Sequence, residues 1–446
     1  MTVARRLDGS AAGELRERLL FADAGLGRTT DGSLRYDGVS VADLAAAVGT
    51  PAYVYNAGAI RRRYAELTGA LASLPHQIQY SVKANCCLAV LRVLRDLGSG
   101  CDIVSLGELR RALAAGFNVE CIVFSGVGKT AGELAEACAV GIGQINIESM
   151  EELEALAGTA AAVGRPVRVG IRVNPDITVD THPFITTGTA AAKFGIPPDQ
   201  VLEAARRIAK HPEMELAGIA MHVGSQLLDP APYVKGATTL ADLVRSIRDA
   251  GILTLRSLDL GGGLGIRYKD EVPLEPAALV EAIRPVVAPL GLALHLEPGR
   301  FLVGSAGILL ATVLYRKRAG GKSFVIVDAG MSDLVRPSRY NAHHEIVVAV
   351  ERGRPVGPVD VVGPICETGD FLALDRPLPA VGRGEVLAIL GAGAYGFVMS
   401  STYNARPRAP EVLVDRGRWA VARPRETLED LMLGERPDCF TAGDAS

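Results

Sequence analysis

One lysine, one histidine, one glutamate and a run of glycines each close a short apolar segment in the first 300 residues. They are Lys83 in YSVKAN, His222 and Ser225 in MHVGSQ, Gly261, Gly262 and Gly263 in DLGGGLG, and Glu297, Gly299 and Arg300 in EPGR. Only eight of the 47 basic residues are lysine. An arginine cannot lose its proton to act as a nucleophile, whereas a lysine can. An amine at the end of a buried strand is expected to have its pKa lowered and to form an imine with an aldehyde. Glycines let backbone N–H groups approach an anion closely. A buried glutamate can hold a heterocyclic nitrogen protonated, which helps a cofactor ring withdraw electrons, and a histidine can stack on such a ring. The set is what a Schiff-base cofactor carrying a phosphate needs. Taken singly, each residue has an ordinary role, such as a Glu297–Arg300 ion pair.

The later part of the chain adds three candidates. PICETGD places Cys366 and Glu367 at a turn, where a thiol could donate a proton. GAGAYGF flanks Tyr395 with glycines, suited to bringing a phenol near a ligand. Arg336 and Tyr340, four apart, are candidate carboxylate binders.

These residues need a frame that brings distant strand ends together. Eight short apolar runs alternate with helical patterns between about 77 and 299: QIQYSV, CDIVSL, ECIVFSG, QINIES, VRVGIRV, LAGIAMHV, LRSLDLG and ALHLEP. Near-continuously apolar strands in βα repeats point to a (β/α)8 barrel, with a doubly wound open sheet as the alternative. In a barrel, active residues sit at the C-terminal ends of the strands. That rule collects Lys83, Asp102 and Glu108 (second strand), Arg172 (fifth), His222, the glycines and Glu297 on one rim. The loops after strands seven and eight are a frequent phosphate site. After about 305, strand-like runs separated by Gly and Pro predict a C-terminal, mainly β domain. The expected division is a loosely held extension (1–28), a strand segment joining the β domain (29–50), the barrel (51–305), the β domain (306–435) and a tail (436–446).

Composition narrows the class. A net charge of -3 gives no attraction to nucleic acid or an anionic membrane, and no apolar run has the length of a membrane span. The charged start argues against a signal peptide, so a cytoplasmic location is expected. Seven cysteines without C-x-x-C spacing indicate neither a disulfide framework nor a zinc site, and no metal is expected.

In order along the chain, YSVKAN, THPFITTG with KFGI, HVGSQ, DLGGGLGI, EPGR, DAGMSDLVRP, CETGD and GAYGFVMSSTYNARPRAPEVLV resemble the pyridoxal-phosphate (PLP) decarboxylases for diaminopimelate, ornithine and arginine, and the diaminopimelate branch in particular. The resemblance implies an alanine-racemase-like barrel with a β domain, working as a homodimer with the active site at the subunit interface. It implies that Lys83 bonds the cofactor, with Asp102 and Ser225 in the cofactor pocket. His222 would face the cofactor ring and Glu297 would pair with its nitrogen. Gly262, Gly263, Gly299, Arg300 and Tyr395 would hold the phosphate. Arg300, Arg336, Tyr340 and Tyr395 would bind substrate and Glu367 its distal amino group; Cys366 and Glu367 would reach in from the partner subunit, and Cys366, or Lys83, would return a proton. The activity implied is decarboxylation of meso-diaminopimelate to L-lysine. The alternative is a related decarboxylase for ornithine, arginine, lysine or a carrier-tethered amino acid. A diamine product side would leave the Arg300–Arg336–Tyr340 set without a carboxylate. Thr368, Val398 and Thr402 depart from the family pattern of Ser, Ser and Asn.

Overall fold

The computed structural model describes residues 9–177 and 192–437; THPFITTG lies outside them. Eight parallel strands close into a barrel: His76–Ser81, Gly100–Ile103, Ile122–Phe124, Gln144–Ile147, Val167–Val173, Met214–Met221, Ser257–Asp259 and Ala293–Leu296. The last pairs with the first, Leu294 opposite His76, which removes any free edge. These match the eight apolar runs, and the open-sheet alternative falls away. The strands are buried almost throughout because helices cover the outside and side chains fill the inside. The covering helices start where their sequences supply caps. Ser105, Thr130 and Ser149 each accept the N–H of a glutamate three residues on, and Thr130 with Glu133 completes a capping box.

The β domain is a mixed sheet ordered Phe371–Pro379, Val356–Val362, Lys322–Val327, Gly307–Ala319, Ala52–Asn56, Glu411–Asp415 and Arg418–Arg423. Two further strands, Ile346–Val348 and Val386–Ile389, pair with each other, and the latter also pairs with Gly307–Ala319. The sequence reading differs here in two places. Ala52–Asn56 falls within the segment expected to belong to the barrel (51–305), but it lies inside the β-domain sheet, between Gly307–Ala319 and Glu411–Asp415. Its AYVYN sequence is buried on both faces and so shows no alternation; the side chain of Asn56 then caps the helix Ala57–Leu71, hiding the boundary. Phe371–Pro379 was not anticipated, because its two prolines read as turns. They fit because this strand forms the edge of the sheet.

The N-terminal segment also differs from a loosely held extension. Gly9–Ala24 is a helix whose Leu20, Phe21 and Ala24 are buried with Leu34, Tyr36 and β-domain residues such as Ile308 and Leu310. Leu26–Arg28, Leu34–Tyr36 and Val39–Ser40 form a small sheet of their own, tied to the β domain where Leu34 N–H donates to Ala349 O at 2.8 Å.

Candidate active site

The C-terminal rim of the barrel gathers the candidates from strands one, two, six, seven and eight. Lys83 sits in the short 3-10 turn Val82–Ala84 after the first strand. Its Nζ donates to Asp102 Oδ2 at 2.7 Å, and Ser81 Oγ donates to the same oxygen at 3.0 Å. Asp102 is fully buried and its other oxygen, Oδ1, has no partner. Burial opposes the charge on Lys83, but Asp102, Glu297 and Tyr395 outweigh it and hold the amine above the usual lysine range. The expected lowering is therefore corrected. The strand end is apolar, yet the carboxylates beside it are what the charge feels.

Glu297 is the reverse case. Burial, reinforced by Asp102 and Asp259, raises its carboxyl well above the usual range despite Lys83 and Arg172. Asp259, at the end of the seventh strand, is raised chiefly by burial as well. Its Oδ1 accepts the Gly261 N–H at 2.7 Å, and its carboxyl is also hydrogen-bonded to that of Glu297. Burial and the neighbouring carboxyls thus favour the protonated form of Glu297.

His222 is held neutral: burial first, then Arg172 and Lys83, push it well below the usual histidine range. Its Nδ1 accepts the Gly262 N–H at 3.2 Å, so the ring proton lies on Nε2. The glycine run is packed as closely as its composition suggests. A Cβ on Gly262 would stand 2.2 Å from Glu297 O, and Gly263 has φ +107° with Gly224 O 2.5 Å from its would-be Cβ. No side chain fits at either position without moving backbone.

A cavity of about 510 Å³ opens beside Lys83 and is lined also by Cys86, Glu108, Arg111, Tyr395 and Val398. Glu108, whose Oε2 accepts the Val104 N–H at 2.8 Å, is pushed up to about 7 by burial. Tyr395 has φ +55°, and its N–H donates to Ala84 O at 2.8 Å, one residue from Lys83. The Arg300 guanidinium lies 4.9 Å from the Tyr395 ring centroid and donates to Ser225 Oγ at 3.0 Å. Gly299 abuts the first strand's turn, 2.8 Å from Ala84 Cβ for an added Cβ.

A second cavity, about 300 Å³, lies on the far side of Arg300 and is lined by Arg336, Tyr340, Tyr268 and Glu271 among others. Both arginines are buried.

Cys366 and Glu367 are not brought to either cavity. Both are exposed on the β domain, with Cys366 N–H donating to Asn404 Oδ1 at 2.9 Å and Glu367 hydrogen-bonded to the Tyr403 hydroxyl. Sequence reading missed Asp259, Tyr268 and His344. An acid two residues before the glycines, and a tyrosine a few residues after them in GIRYKD, were the signals available.

This arrangement defines a class. The family model "Pyridoxal-dependent decarboxylase, pyridoxal binding domain" matches residues 57–304, which span the whole barrel. The diaminopimelate decarboxylase of Pseudomonas aeruginosa is 46% identical over 91% of this chain and 97% of its own. That of Aquifex aeolicus is 45% identical over 90% and 94%. Among solved structures, diaminopimelate decarboxylase from Helicobacter pylori complexed with L-lysine has TM-score 0.85 at 39% identity, covering 88% of this chain and 98% of that one. Lysine/ornithine decarboxylase from Vibrio vulnificus, at 21% identity and TM-score 0.74, shares the fold.

The chain belongs to the pyridoxal-dependent decarboxylases, within the family of the diaminopimelate decarboxylases, and is a PLP enzyme. The site fits that cofactor on its own geometry: an amine on the rim, a neutral imidazole, a buried acid able to give up a proton, and a glycine cradle that a Cβ would fill. Gly262→Ala is expected to release PLP on equilibrium dialysis where the parent retains it. Equal retention would show that the loop has slack to shift.

Proposed function

We propose that this enzyme decarboxylates meso-diaminopimelate to L-lysine and CO2, working as a homodimer. The single observation that carries the substrate is the cavity flanked by Arg300 and Arg336, two buried guanidiniums. Buried cations are retained where an anion partners them, and diaminopimelate brings a second carboxylate that ornithine, arginine and lysine lack at that distance.

When bound, pyridoxal phosphate supplies an electron-withdrawing ring that accepts the electron pair left by departing CO2. The chain's own residues do the rest. Lys83 would bond the cofactor, and Asp102 holds its amine in place. Glu297 would hold the ring nitrogen, its buried carboxyl supplying the proton that keeps the ring electron-withdrawing. His222, held neutral, would face the ring. Gly262, Gly263, Gly299, Arg300, Ser225 and Tyr395 surround the phosphate. Arg300, Arg336 and Tyr340 bind the substrate's distal carboxylate, and a partner's copy of Glu367 its amino group. The proton that replaces CO2 comes from Cys366. Exposed on its own subunit, Cys366 serves the neighbouring site, so the dimer is the active unit.

The test is a product assay with purified, PLP-loaded protein given meso-diaminopimelate, ornithine, arginine and lysine separately. L-Lysine formed from diaminopimelate, with the other three untouched, is the expected result. Preferential release of CO2 from ornithine, arginine or lysine overturns the reading. Silence on all four with cofactor bound also overturns it, and Val398 on the Lys83 cavity becomes the first position to exchange.

A further inference from the structure

Arg300 and Arg336 carry like charges, both are buried, and they come from distant parts of the chain. Left alone they would repel and splay apart. Two residues stand between and behind them. Tyr268, in the loop after the glycines, accepts a hydrogen bond from Arg300 Nη1 at 2.7 Å. Its ring also faces both guanidiniums, with centroid distances of 5.8 Å to Arg300 and 5.0 Å to Arg336. A π face and a phenol oxygen are negative surfaces, so one side chain screens each cation from the other. Burial alone would raise the phenol pKa, but the two arginines outweigh it and the net shift is downward.

His344 fixes the other arm. Arg336 Nε donates to His344 Nε2 at 3.2 Å, while His344 Nδ1–H donates to Leu390 O at 2.8 Å. The backbone carbonyl thereby dictates the tautomer and leaves Nε2 bare for Arg336. A protonated imidazole would have no acceptor there. Burial and Arg336 keep it neutral, well below the usual histidine range. The His344 and Tyr268 rings meet edge to face at 5.3 Å and 73°. Gly391, at φ +67°, closes the stack from below: a Cβ there would touch Tyr268 Cδ1 and Cε1 at 3.2 Å. Arg300 spends one Nη1 and one Nη2 proton on Tyr268 and Ser225, and its Nε is buried without a hydrogen-bond partner, so the held guanidinium keeps donors to offer.

We propose that Tyr268 and His344 are positioning residues that set the spacing and orientation of Arg300 and Arg336, and so make the pocket select ligands with a second carboxylate. The inference rests on the reading of that arginine pair as carboxylate binders. Neither residue needs to touch the substrate. Tyr268 keeps the cations close enough to share one carboxylate, and His344 turns the Arg336 fork by holding its Nε.

The test compares two ligands that differ only in the carboxyl group: L-lysine and 1,5-diaminopentane. Each is titrated into the PLP-loaded dimer, and binding is followed by the cofactor absorbance. The parent is expected to prefer lysine, and Arg336→Ala to lose that preference. Tyr268→Phe and His344→Leu are expected to weaken lysine by about tenfold while diaminopentane stays within about twofold. His344→Gln, whose amide can accept from Arg336 and donate to Leu390 O, should regain most of the loss. If Tyr268→Phe and His344→Leu weaken both ligands alike, or neither, while Arg336→Ala still abolishes the preference, the positioning role is wrong and the carboxylate reading stands. If Arg336→Ala leaves the preference intact, the carboxylate reading itself falls. Should His344→Leu not fold, Tyr268→Phe, which removes one oxygen atom, decides the matter alone.

Discussion

Replacing Lys83 with alanine is expected to give a folded protein with no measurable CO2 release and none of the visible absorbance of lysine-bound PLP. The lysine holds its amine among the buried acids of the rim, with its Nζ 2.7 Å from Asp102. Asp102, Asp259 and Glu297 lie together out of water, and Lys83 and Arg172 are the cations that offset them. Without Nζ, these carboxyls answer by binding protons, which costs far less than unfolding around bare charges. Folding should therefore survive while chemistry does not. The measurement is the absorbance spectrum of dialysed protein, with circular dichroism as the folding control. Turnover at the parent's rate would remove Lys83 from the mechanism.

The second large effect concerns Cys366. Loss of a positioned proton donor typically costs roughly a hundred- to ten-thousand-fold in rate. Cys366→Ala is expected to fall in that range with PLP binding retained, because the thiol lies outside the cavity beside Lys83. The same placement makes a sharper forecast. Lys83→Ala and Cys366→Ala proteins, each inactive alone, should regain activity when mixed and allowed to exchange subunits. In a random mixture half the dimers are mixed and each has one intact site of two, so activity should approach about a quarter of the parent's. No recovery, with exchange verified by mass, would place both residues in one subunit's site. Unchanged turnover of Cys366→Ala would make it a packing residue.

The barrel and the rim were legible because both obey simple spacing. Buried parallel strands read as apolar runs, and the residue that ends each run lands on one edge. What was not legible depends on contacts that no local pattern records. The Lys83 pKa follows Asp102 and Glu297, which are 19 and 214 positions away. Tyr268 and His344 face each other although 76 positions separate them, and an isolated aromatic after a glycine run reads as core. Ala52–Asn56 was assigned to the wrong domain because a strand buried on both faces looks the same in a barrel or in a mixed sheet. Cys366 and Glu367 were legible as motif residues, yet nothing local marks them as facing away from their own subunit's pocket.

The position of Ala52–Asn56 has a consequence for how the molecule is made. This strand is synthesised before any of the barrel, yet its neighbours are Gly307–Ala319 and Glu411–Asp415, the second emerging some 355 residues later. Until the ribosome has delivered both, a strand that is fully buried in the finished fold waits with its backbone groups unpaired. Contacts so distant in sequence form slowly and leave nascent chains prone to association through open edges. The barrel, whose closing pair joins strands starting at 76 and 293, is complete first. A stop codon before 411 would therefore yield a closed barrel carrying half an interface, and such a chain should be found in aggregates or with chaperones even though its cofactor-binding rim is whole.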